Sequence, residues 1–81
     1  MSNSKQLQQN MQLSGKLAEY IVSNPSATEG VPSGASYVVF SSNDKELNKL
    51  NQKLVTSLKN EGKKVVKATE KSDKKTWTFA F

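Results

Sequence analysis

The sequence predicts an α+β domain of two layers, with two helices and three strands in the order α-β-α-β-β. Three observations carry that expectation. The stretch NDKELNKLNQKLVTSLKNEG has a capping signal, leucines at helical spacing and a closing glycine. SYVVFS, VVKATE and the terminal WTFAF are β-branched and aromatic runs too short for helices. A second helical pattern precedes the first strand. At 81 residues the chain is one domain, whose folding buries only about 60 to 65% of the surface exposed by the unfolded form.

The first helix is expected from about Gln9 to Ser23. Residues 1–8 are mostly Ser, Asn, Gln and Lys, and they are expected to be disordered. Leu13, Leu17, Tyr20 and Ile21 share one side of the helix. Met11, Ala18 and Val22 widen that side to an apolar arc of roughly 200°. An arc so wide exceeds one contact and predicts a second neighbour, either the other helix or another protein chain. Gly15 within it costs roughly 1 kcal/mol relative to alanine.

Asn24-Pro25 ends this helix, since a residue before proline is driven out of the α region. Asn24 and Pro25 then suit the start of one short turn, closed by Gly30. Ser36 to Ser41 is strand one. Asn43 to Glu46 reads as a capping box with Asn43 as cap, opening the second helix. Its apolar stripe is Leu47, Leu50, Leu54 and Leu58, and Gly62 ends it in the left-handed conformation. Lys64 to Glu70 forms strand two, Lys71 to Lys74 a turn, and Lys75 to Phe81 strand three.

Strand one, the second helix and strand two make a right-handed crossover, so those strands run parallel; strand three returns antiparallel to strand two. Edge strands tend to carry lysine, and strand two contains Lys64 and Lys67 while strand three is uncharged beyond Lys75. That favours the order 1-3-2, with 1-2-3 as the alternative. Trp77, Phe79 and Phe81 share a face, which is expected to lie beneath the helices.

Composition removes several kinds of chemistry. Cysteine and histidine are both absent, which excludes disulfides, thiolate nucleophiles and the usual metal ligands and general base. No catalytic residue, metal or cofactor is therefore expected. G-V-P-S-G lacks the lysine of a phosphate loop and precedes a strand, so it reads as a turn. The opening MSNSKQLQQNMQ has no apolar run to serve as a signal peptide or span a bilayer, and a soluble, cytoplasmic protein is expected.

The net charge is +5, and residues 1–42 contribute nothing to it, with two lysines against two glutamates. All basic residues are lysine. Without arginine the chain lacks the planar fork that reads guanine edges, leaving loose electrostatic attraction as the only nucleic-acid reading. Its candidate contacts are Lys63, Lys64, Lys67, Lys71, Lys74 and Lys75. Those at the two ends of strand two lie roughly 20 Å apart, beyond a Debye length of about 8 Å, so they act separately. Solvated charge is the favoured explanation.

The uncovered sheet face is the stronger candidate. Tyr37, Val39, Val65, Lys67, Thr76 and Thr78, with Thr69 and Ala80, would make it semi-apolar and suited to contact with a second copy or another protein. A non-enzymatic interaction module is the expected function, with weak nonspecific nucleic-acid binding as the alternative.

The run NDKELNKLNQKLVTSLKNEGKKVV, preceded by a helix containing KLAEY and ending in Asn-Pro, resembles a small family of uncharacterised bacterial and archaeal proteins. The resemblance extends from about Leu13 through strand three. It implies a single α+β domain and carries no activity, ligand or functional residue.

Overall fold

The computed structural model describes residues 2–81. Helix α1 spans Asn3–Ser23, a 3-10 turn Pro25–Thr28, strand β1 Ser36–Phe40, helix α2 Lys45–Asn60, strand β2 Val65–Glu70 and strand β3 Trp77–Ala80. The sheet is mixed: β1 and β2 pair parallel, β2 and β3 antiparallel. Its order is β1-β2-β3, the alternative, and the favoured 1-3-2 arrangement is overturned. Lysine does not mark an edge strand here, for a physical reason. Lys67 leaves β2 through a face of the sheet, where its ammonium donates to Gln52 Oε1 at 2.7 Å and lies 4.8 Å from the Phe40 ring centre. A central strand tolerates such a lysine.

Helix α1 begins six residues before its expected start. Ser2 caps it by accepting from the Lys5 N–H, so residues 3–8 are helical where disorder was predicted; Met1 lies outside the described residues. The polar stretch folds because its amides find a partner. Gln6 Nε2 and Asn10 Nδ2 donate to Asn51 Oδ1, and Asn51 Nδ2 donates to Asn10 Oδ1 at 2.8 Å.

In α2 the cap is Asp44, one residue later than the Asn43 expected, with its Oδ1 accepting from the Leu47 N–H. The helix closes as predicted: Gly62 has φ +80°, and Lys63 and Gly62 donate to the carbonyls of Leu58 and Lys59 in a Schellman motif. The buried stripe differs from the predicted one. Leu47, Asn51 and Val55 are buried, Leu50 and Leu58 are half-buried, and Leu54 is 42% exposed.

The two helices meet the sheet differently. Leu13 and Leu17 of α1 pack with Val39, Ala68 and Trp77, joined by Leu47 and by the partly buried Tyr20, Ile21 and Phe79. On the opposite face, Val55 and Leu58 of α2 pack with Val38, Phe40 and Val65. Helix α2 thus straddles the free edge of β1, with Leu47 reaching one face and Val55 the other. The aromatic face lies beneath α1, with Leu47 of α2 joining the same cluster. Trp77 is buried, Phe79 half-buried, and Phe81, expected inside, is 65% exposed.

Candidate functional site

Three surfaces merit comparison. The first is the outward side of α1. Leu13 and Leu17 at its centre are turned to the sheet, and the arc predicted from the sequence divides in two. Leu7, Met11 and Val22 remain 63, 67 and 79% exposed, with Ser14, Gly15 and Ala18 exposed between them. Helical spacing aligns these residues in one stripe along the helix. A shallow concavity among Ala18, Glu19, Val22 and Ser23 lies at its C-terminal end. A β-carbon built on Gly15 would meet nothing within 4 Å.

The second is a polar cleft of about 190 Å³ beyond the carboxyl ends of β1 and β2, lined in part by Gln9, Lys16, Ser41, Asp44, Glu70 and Lys74. Glu70 is 3% exposed there. Its Oε2 accepts from Lys16 Nζ at 3.3 Å, and its Oε1 accepts from the Ser42 N–H and hydroxyl at 3.3 and 3.0 Å. Burial pushes its pKa up, but the two bonds from Ser42 and the Lys16 ammonium outweigh that effect and hold it below its ordinary value. Gln9 Oε1 is buried without a hydrogen-bond partner among the described residues. The volume falls below the roughly 300 Å³ at which ligand pockets begin. Chemically the cleft is an anchored carboxylate joining α1 to the start of α2.

The third is a wider groove between α1 and the β2–β3 turn, lined by residues that include Lys16, Glu19, Tyr20, Lys74, Lys75 and Trp77. Asp73 builds the turn. It accepts from the N–H groups of Lys75 and Thr76, each at 2.9 Å, and from the Thr76 hydroxyl, which together lower its pKa to about 2. Lys74 sits beside it at φ +60°.

The predicted sheet face does not assemble. The register pairs Tyr37 with Val66 and Val39 with Ala68, on the side covered by α1, whereas Val65, Lys67 and Thr78 belong to the opposite side. Val39 and Val65 are themselves buried, at 5 and 6% exposure. Tyr37 is 40% exposed and meets Phe79 edge-on at 6.4 Å; Thr76 is bound to Asp73. Relative to strand two, strand one has the opposite parity to that expected, and a one-residue slip moves every side chain to the other face.

The lysines remain divided. Lys63 and Lys64 precede β2, Lys71, Lys74 and Lys75 follow it, and all five are exposed; Lys67 is half-buried and engaged with Gln52. Trp77, the ring a stacking site would need, is 4% exposed.

Sequence reasoning missed two further residues. Asn51 Nδ2 donates to the Val39 carbonyl at 2.8 Å, while Asn48 accepts from the Ser41 N–H at 2.7 Å and donates to the Ser41 carbonyl at 2.9 Å. These groups lie on the edge of β1 facing away from β2. The two asparagines, at i and i+3 on α2, close that edge as a neighbouring strand would. Their spacing was visible in NKLNQ, but only the edge they meet gives it meaning.

Among the described residues, no helix is long and apolar enough to cross a membrane, and no group of three or more carboxylate, cysteine or histidine side chains is placed to hold a metal ion. No curated protein and no solved structure matches the chain. A family model does match, covering residues 5–77, from the first turn of α1 through α2, β1 and β2 to the first residue of β3. The chain belongs to that family, a family of unknown function designated DUF5647.

Proposed function

We propose that this chain is a small, soluble, non-enzymatic interaction module that works by self-association through the outward side of α1. The observation that carries the reading is the exposure of Leu7, Met11 and Val22 on one stripe, outside both apolar clusters of the fold. The proposed contact therefore moves from the sheet face to the helix. The non-enzymatic part is supported by Glu70, the one buried carboxylate among the described residues: held ionised by Ser42 and Lys16, it is poorly suited to take and return protons. A cytoplasmic location is part of the proposal and suits a chain without cysteine.

Nucleic-acid binding has less support, since the lysines form separate groups and Trp77 is not available for stacking. Light scattering across a concentration series tests the main reading. The mass should rise toward that of two chains as concentration increases, and Met11→Lys should keep it at one. A strict monomer at near-millimolar concentration removes self-association and leaves only a foreign partner. Oligonucleotide binding that weakens steeply with salt, while the mass stays at one chain, supports the nucleic-acid alternative instead.

A further inference from the structure

We infer that the occupant of the α1 stripe is the same stripe of a second copy, crossing antiparallel about a two-fold axis at the Ser14–Gly15 peptide. The inference rests on the self-association reading and adds its geometry. The stripe is self-complementary in sequence: with the axis between residues 14 and 15, Leu7 falls opposite Val22, Met11 opposite Ala18, and Ser14 opposite Gly15. A large side chain meets a small one at the Met11–Ala18 level, twice by symmetry, and the smallest residues occupy the centre, where two helices approach most closely. The concavity at Ala18, Glu19, Val22 and Ser23 lies where this register brings Leu7 of the second copy.

Gly15 is an independent indication. It lies within a regular helix, is not in the left-handed region, and has nothing within 4 Å of the position a β-carbon would take. Neither the backbone nor the packing of this chain requires glycine there, although it costs roughly 1 kcal/mol of helix stability. A second backbone crossing at that point accounts for it.

Area and charge agree with one copy meeting another. The exposed parts of Leu7, Met11 and Val22, with the small residues between them, present roughly 400 to 500 Å² of surface. A pair then buries at most about 800 to 1,000 Å², short of the range of stable interfaces, so the dimer is weak and concentration-dependent. Glu19, at the rim of the concavity, is the charged residue of α1 beside the contact, and the ten lysines of the second half lie on other elements. Because each copy carries +5, salt that screens their repulsion should strengthen the pair or leave it unchanged. That is opposite to the response of a phosphate-binding surface.

The chain has no cysteine, so single substitutions give clean cross-links. Under mild oxidation Ser14→Cys should form a covalent dimer, as should the doubly substituted Leu7→Cys/Val22→Cys chain, while Leu7→Cys alone should not. In the antiparallel register the two Leu7 positions lie on the order of 20 Å apart, far beyond the roughly 7 Å a disulfide spans, so Ser14→Cys should yield about tenfold more covalent dimer. All these positions are exposed, and circular dichroism checks that each variant folds. Efficient cross-linking of Leu7→Cys alone would mean parallel pairing and overturn the inference. Uncrosslinked variants that still show a two-chain mass would place the contact elsewhere, overturning the geometry while self-association stands. A one-chain mass at every concentration ends both.

Discussion

Helices α1 and α2 both leave apolar side chains in solvent, for different reasons. In α2 the inward positions beside β1 belong to asparagines. Asn51 is fully buried and Asn48 half-buried, because what they face is a row of unpaired backbone groups, and an amide satisfies these where a leucine cannot. Leu54 of the same helix is 42% exposed. In α1 the inward positions hold Leu13 and Leu17 against the sheet, and the exposed Leu7, Met11 and Val22 are additional to a side already filled. A helix over a sheet face buries its apolar side; a helix at a strand edge must answer the edge first.

The sharpest way to break that comparison is Asn51→Leu. It removes the donor to the Val39 carbonyl and strands the amides of Gln6 and Asn10, so the loss should be about 3 kcal/mol by urea unfolding. Leu54→Ala should change stability by less than about 0.5 kcal/mol. The reverse order would mean that the leucine stripe, and not the asparagine pair, faces the core.

Glu70 tests the junction between the helices. Glu70→Gln should cost about 1 to 2 kcal/mol at neutral pH by weakening the bonds from Lys16 and Ser42. Because its pKa is lowered in the folded state from 4.5, its contribution is complete above that value and lost as pH falls through the folded one. The wild type should therefore lose stability on acidification with a slope that Glu70→Gln lacks.

Gly15→Ala separates the roles of α1. In one chain the added methyl meets nothing and should stabilise the helix by roughly 0.5 to 1 kcal/mol; at the proposed axis it intrudes, and association should weaken. Thermal unfolding at low concentration and mass at high concentration should move in opposite directions. The smallest effect is expected in the hairpin turn. The Asp73 carboxyl should titrate near pH 2 by NMR, and Thr76→Val should raise that value by removing one of its donors.

Much of the architecture was legible because it depends on neighbours in sequence. The proline after Asn24, the glycine at 62 and the alternation in the strands act within a few residues, and the elements formed near where these signals stand. The family resemblance, too, followed from such local pattern. The candidate site was less legible. Lysine positions could not reveal which strand is central, since Lys67 escapes through the sheet face, and the parity error in strand one dissolved the predicted interaction face.

The chain's own sequence determined its element types, their order, its charge and the chemistry it lacks, all of which are properties of single residues or of short stretches. Tertiary structure alone decided that residues 3–8, NSKQLQ, are helical, that Asn51 lies inside and Leu54 outside, and which apolar residues of α1 remain in solvent. Each of those outcomes depends on a partner some forty residues away in the chain or on a strand edge that exists only once the sheet has formed. A polar side chain is worth burying only where such a partner waits, and no local pattern encodes that.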